Sequence, residues 1–128
     1  MSQLGTTSWP VELRLKQAEK VLEIDFDDGT SFRLPAEYLR VESPSAEVQG
    51  HGPGQKQLVA GRAHVGILRL EPVGHYAVRI VFDDLHDTGI YSWSYLHELG
   101  LEQERRWADY LVALERQGLS REPKRGRS

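Results

Sequence analysis

The sequence predicts an α+β fold: a small β-rich domain of antiparallel hairpins with short helices and a C-terminal helix. Three observations carry this. Val11, Leu13 and Leu15 alternate with polar residues, and the same two-residue period returns in residues 21–26 and 76–82, as in strands with one buried face. Asp27-Asp28-Gly29-Thr30 lies between two such runs, where glycine supplies the positive φ of a tight hairpin turn. Finally, Trp107, Tyr110, Leu111 and Leu114 recur at helical spacing, the apolar stripe of an amphipathic helix.

In chain order, residues 1–8 are polar and rich in Gly, Ser and Thr, with too little apolar area to offset the entropy of ordering, and are expected to be loose. Residues 9–118 form the domain. The strand from Trp9 pairs with Val21–Phe26 through a turn at 16–20, and Ser31–Leu34 returns after the Asp-Gly turn. Pro35 lacks an N–H and suits a helix start, so residues 36–39 read as one helical turn. Residues 42–57 contain Ser43-Pro44-Ser45 and Gly50-His51-Gly52-Pro53-Gly54-Gln55 and read as a long surface loop, a class of segment that carries function or mobility. A second hairpin joins 65–70 to 76–82 across Pro72-Val73-Gly74. After it come an acidic turn, a short strand at 89–91, a helix over 92–99 capped by Gly100, and the main helix over 101–117 closed by Gly118. Residues 119–128 read as a basic, disordered tail.

One echo runs through the domain. Ile24-x-Phe26-Asp27-Asp28 precedes Tyr38-Leu39, and Ile80-x-Phe82-Asp83-Asp84 precedes Tyr95-Leu96. A duplicated half-domain is one reading of this pattern, and coincidence of two short matches is the other.

The chain has 128 residues, 39% hydrophobic and 27% charged, which is enough for one core and one domain. The longest apolar run, Tyr110–Leu114, is far short of the roughly 20 residues that span a bilayer, so no membrane association is expected. No charged-then-apolar leader opens the chain, and a cytoplasmic location is expected. The absence of cysteine excludes disulfides, thiolate metal sites and a cysteine nucleophile. Residues 119–128 carry four cations against one acid, so the net charge of −3 leaves −6 on the rest. An acidic body argues against a nucleic-acid groove.

Three segments are candidate sites. The run Gly50-His51-Gly52-Pro53-Gly54-Gln55-Lys56 could present backbone N–H groups to a ligand, yet it matches neither the phosphate loop nor the dinucleotide fingerprint. The acidic turn Asp83-Asp84-Leu85-His86-Asp87 could offer carboxylates and an imidazole to a metal, or stand as an exposed hairpin end. Tyr91-Ser92-Trp93-Ser94-Tyr95 could stack a ligand or pack the core. The candidate interaction surface is therefore His51, Gly52, Gly54, Gln55, Lys56, His86, Tyr91 and Trp93. No catalytic residue and no cofactor are assigned. A metal-binding alternative uses His86 and nearby carboxylates, and an enzyme alternative assembles His51, His86 and Asp87 with Asp83 and Asp84.

Leu39-Arg40-Val41-Glu42-Ser43-Pro44-Ser45-Ala46-Glu47-Val48, together with His86-Asp87-Thr88-Gly89-Ile90-Tyr91-Ser92-Trp93-Ser94-Tyr95-Leu96, resembles the N-terminal domain of gamma-butyrobetaine hydroxylase and trimethyllysine dioxygenase. The resemblance covers roughly residues 13–99. It implies a small domain that, in those hydroxylases, holds a structural zinc through three cysteines and one histidine. The corresponding positions here are Ser43, Ser45, Val48 and His86, of which only His86 is a zinc donor. The oxygenase domain with its iron has no counterpart in the chain, so hydroxylase activity is not implied. Similar short domains occur fused to P-loop iron-sulfur carrier proteins, which implies a non-catalytic binding or adaptor role beside iron-sulfur or iron-dependent proteins. The expected partner is another protein.

Overall fold

Two three-stranded antiparallel sheets, each running directly into a helix, build the molecule. A computed structural model describes residues 8–50 and 54–123. The first sheet has the order β1 (Pro10–Lys16), β2 (Val21–Phe26), β3 (Ser31–Pro35), and α1 (Ala36–Val41) follows at once. A four-residue helix, α2 (Ala46–Gln49), precedes the second sheet, β4 (Ile67–Val73), β5 (Ala77–Phe82), β6 (Ile90–Ser92), and α3 (Trp93–Leu101) follows in the place of α1. α4 (Gln103–Arg116) closes the order. This is the α+β arrangement that the alternating runs predict.

The echo in the sequence is a repeat in three dimensions. Phe26 and Phe82 stand 56 residues apart, and both pair across a bulge: Pro10 with Phe26 then Glu12 with Asp25, and Ile67 with Phe82 then Arg69 with Val81. Leu22 pairs with Leu34 as Val78 pairs with Tyr91. Backbone bonds repeat too: Phe26 N–H to Thr30 and Phe82 N–H to His86, Ala36 N–H to Lys20 and Trp93 N–H to Tyr76. The central strands supply matched core residues, Leu22, Ile24 and Phe26 from β2 against Val78, Ile80 and Phe82 from β5, in one cluster.

Contacts between the halves are reciprocal. The Tyr38 hydroxyl of α1 donates to the Leu99 carbonyl near the end of α3 (2.7 Å), and the Tyr95 hydroxyl of α3 donates to the Glu42 carbonyl at the end of α1 (2.6 Å). Each tyrosine satisfies a carbonyl that a helix end leaves without an internal partner. Likewise His97 of α3 reaches the Asp28 turn, and Arg40 of α1 reaches the Asp84 turn, each at 2.8 Å. If residue i of one half meets residue j of the other, j's equivalent meets i's, which is the signature of two-fold symmetry. The halves are related by a pseudo-two-fold, and duplication is the reading that fits.

Several boundaries differ from the sequence reading. Gly100 does not cap α3. It lies inside the helix, and a Cβ there would stand 2.3 Å from the Phe32 ring, so close approach of β3 explains the glycine. Pro72 and Val73 belong to β4, an edge strand where proline loses no ladder bond. Gly118 does end α4: with φ +67 it donates to Glu115, while Leu119 N–H reaches Leu114. The first residues beyond it, assigned to the loose tail, are bound. Ser120 and Arg121 carbonyls accept from Gly61 and Ala63, and the Arg121 guanidinium grips buried Glu37 at 2.7 and 2.9 Å while stacking over Trp107. Ser8, placed in the loose N-terminal segment, donates to Asp28 at 2.9 Å. Residues 1–7 and 124–128 lie outside the described residues.

Candidate functional site

The pseudo-two-fold sets two acidic turns side by side for comparison. In both, the second aspartate caps its own turn: Asp28 Oδ1 accepts from Thr30 N–H (2.9 Å) and Asp84 Oδ1 from His86 N–H (3.1 Å). Between them sits a residue in the left-handed region, Gly29 at φ +89 in the first turn and Leu85 at φ +74 in the second. Glycine adopts that region freely, whereas a branched side chain is strained there. Leu85 gains no packing in return, being 81% exposed.

His86 follows Leu85 and turns inward. Its Nε2 lies 2.9 Å from Ser43 Oγ and 3.4 Å from Ser45 Oγ, and its Nδ1 lies 3.2 Å from the Glu47 carboxylate, which also accepts from Thr88. Burial and the nearby Arg40 charge push the imidazole below its ordinary range and keep it neutral. Serine, histidine and carboxylate in series have the connectivity of an acyl-transfer triad. The exposure does not match: Ser43 is 0% exposed and Gly89 closes on it, since a Cβ there would fall 2.6 Å from Ser43 Oγ. A hydroxyl so enclosed meets no substrate carbonyl, and the series acts as a clasp between the 43–47 segment and the second turn.

Beside the clasp lies a basin of about 520 Å³, with Val48, Val59 and Leu85 among its walls and two arginines, Arg40 and Arg62, facing three carboxylates, Glu47, Asp84 and Asp87, on its polar side. Arg40 Nε donates to Asp84 Oδ2 at 2.8 Å, and Arg62 Nε lies 2.8 Å from the same oxygen without hydrogen-bond alignment. Burial pushes the Asp84 carboxyl upward, but the His86 N–H and Arg40 bonds outweigh it and hold the group below the usual range. Arg40 Nη1 is buried and has no hydrogen-bond partner among the described residues, in a side chain only 10% exposed.

Residues 13–97 match the gamma-butyrobetaine hydroxylase-like N-terminal family. The chain belongs to it. Two proteins with NMR solution structures share 44% and 47% identity with the chain, both at TM-score 0.81; the first match covers 94% of this chain and 95% of that one, the second 96% and 92%. A crystal structure from Acidithiobacillus ferrooxidans, of a protein of unknown function in the DUF971 family, is 43% identical at TM-score 0.60, over 71% of this chain and 91% of its own. No curated protein matches the chain.

The positions that the family resemblance makes zinc ligands do gather: Ser43 and Ser45 meet His86, and Val48 lines the same basin as His86. Their chemistry does not fit the metal, because two neutral hydroxyls and a valine replace the anionic donors that bind zinc. Among the described residues no three His, Asp or Glu side chains converge on a point where a metal could sit. A hydrogen-bonded clasp stands where the resemblance implies zinc.

The other predicted site residues separate. His51 and Gly52 lie outside the described residues. Gly54 and Gln55 are exposed, and Lys56 is paired with Glu42 at 2.8 Å in a different cavity from the basin. Tyr91, offered as a surface residue, is 0% exposed and donates to the Leu39 carbonyl, so it is core. Trp93 packs against the core edge and donates from its ring N–H to the His75 carbonyl. The enzyme alternative's carboxylates diverge: Asp83 accepts from Gly66 N–H, Asp84 faces two arginines and Asp87 is exposed. Sequence reasoning missed Arg40, Arg62 and Leu85. The echo held the signal for two of them, since Leu85 stands at Gly29's position and Arg40 at His97's.

Proposed function

We propose that this chain is a non-catalytic protein-binding module whose docking face is the second acidic turn, centred on Leu85. The observation that carries the reading is Leu85 itself. A strained left-handed backbone and an exposed aliphatic side chain both cost free energy in the isolated molecule, and outliers of this kind concentrate where a partner repays them. The clasp of His86, Ser43 and Ser45 holds that turn in place. The partner class that the family resemblance suggests is an iron-sulfur carrier or iron-dependent protein.

The test is a photo-crosslinking amino acid placed at Leu85 and, as a control on the same molecule, at Gly29, with crosslinked proteins identified by mass spectrometry in native cells. A defined partner at position 85 and none at position 29 is expected, with an iron-sulfur carrier the first protein to look for. Equal crosslinking at both turns, or none at 85, would overturn the reading.

A further inference from the structure

We propose that the cavity between α1, α4 and the C-terminal segment receives a basic peptide segment, in which an arginine of the partner takes the place of the chain's own Arg121 between Glu37 and Trp107 while a neighbouring basic residue meets Glu104. The cavity, of about 500 Å³, shares no wall with the basin beside Leu85, so the inference stands apart from the docking reading.

The resident Arg121 shows what the site recognises. Glu37 lies on the first turn of α1 with its side chain 8% exposed, and its two oxygens accept from the Arg121 guanidinium at 2.9 and 2.7 Å. The same guanidinium lies over the Trp107 ring, 5.4 Å from its centroid. Tyr38, edge-on at 6.3 Å, and Tyr110, at 5.1 Å, brace the indole. A carboxylate that takes two parallel bonds and an aromatic face are the two surfaces a planar guanidinium fits, whereas an ammonium meets them only as a point charge. The fold does not ask for the acid. The matching bonds from Ala36 N–H to Lys20 and from Trp93 N–H to Tyr76 align Glu37 with Ser94, an exposed serine in the other half.

Arg121 is held by a segment that can let go. Residues 119–123 bury no side chain. Besides the Glu37 pair and the Trp107 stack, their ties are backbone bonds to Gly61, Ala63 and Leu114 and an exposed contact of Glu122 with His64. Segments tied by exposed polar contacts open at low free-energy cost. With Arg121 out, Glu37 is a buried carboxylate lacking its counter-charge, a state that calls for another cation. The described walls then hold two carboxylates, Glu37 and Glu104, and no cation. Even with Arg121 in place they carry two acids against one base. A segment with two adjacent basic residues complements that charge, and an arginine in it supplies the guanidinium for Glu37 and Trp107.

The probes are the capped dipeptide acetyl-Arg-Lys-amide and acetyl-citrulline-Lys-amide, whose urea has the shape of the guanidinium without its charge, titrated into the full chain while NMR follows the Trp107 indole N–H and the arginine Nε–H signals. The arginine peptide is expected to shift Trp107 and Arg121 saturably, with the citrulline peptide about tenfold weaker, a difference of one charge-assisted pair. R121Q, at a half-exposed side chain, removes the competitor and is expected to tighten binding of the arginine peptide about tenfold while leaving the spectrum of the fold intact. E104Q, on the rim, is expected to weaken it about threefold. Equal Trp107 shifts from both peptides would overturn guanidinium recognition. Binding to R121Q no tighter than to the parent would overturn the exchange, and an unchanged affinity in E104Q would overturn the second basic residue. Shifts confined to other residues, or no shifts, would overturn the site. Trp107 signals that move with protein concentration alone would assign the cavity to a second copy and overturn it too.

Discussion

The two acidic turns share their capping bonds and a left-handed residue, and differ in how they are closed. The first is closed: Gly29 carries the positive φ without strain, His97 bonds Asp28, and two phenylalanine rings cover the histidine. The second keeps the same capping bonds but has Leu85 for Gly29, Arg40 for His97 and Gly89 for Phe32. Two of these replacements depart from what stability alone favours: one adds strain and one buries a donor with no partner among the described residues, while at Gly89 the space is taken by Ser43, Pro44 and Tyr91. The first turn thus shows what the fold requires, and the second shows what has been added to it.

If the halves are equivalent in the core, matched truncations should cost alike. Ile24→Ala and Ile80→Ala, at fully buried sites on β2 and β5, are each expected to lose about 2–5 kcal/mol, the range for truncated buried aliphatics. Chemical denaturation checks this, and costs differing by more than about half that range would break the comparison. A smaller effect is expected for Tyr38→Phe and Tyr95→Phe, each leaving a helix-end carbonyl without its donor, at about 1–3 kcal/mol. Tyr38 should cost more, because it is buried while Tyr95 is part-exposed and water can replace its hydroxyl.

The repeat was legible because it is written in strands. Alternation, the Asp-Gly turn and the two Phe-Asp-Asp stretches need only local chemistry, and the structure keeps them in register. Features set by distant neighbours were hidden. Gly100 looks like a cap until Phe32 is seen against it, and Arg121 looks like tail until it grips Glu37, 84 residues away. Tyr91 has the same composition signal whether it stacks a ligand or bonds the Leu39 carbonyl in the core. The site suffered most, since Arg40 is buried by the second half's turn and no local pattern reports that. Leu85 needed the alignment of the halves, which shows a glycine position holding leucine.

The two turns should also part in their response to pH. His86 is held neutral in the fold, its pKa below the unfolded value of 6.5, so the unfolded chain binds the proton first. Stability is then full above pH 6.5 and falls as pH drops through that value toward the folded pKa, where the loss is complete. His86→Asn is expected to flatten the stability profile in this window, seen in urea midpoints collected across it, and an unchanged slope would mean that the clasp does not control the proton. This is the smallest of these effects.

The central claim is that Leu85 is kept for something other than the fold, and exchanging the two turn residues tests it most directly. Equilibrium unfolding should show Leu85→Gly more stable than the parent by about 1 kcal/mol, as left-handed strain is relieved against glycine's greater unfolded entropy, and Gly29→Leu less stable by a similar amount. A loss of stability in Leu85→Gly would contradict the account, because Leu85 would then be serving the fold.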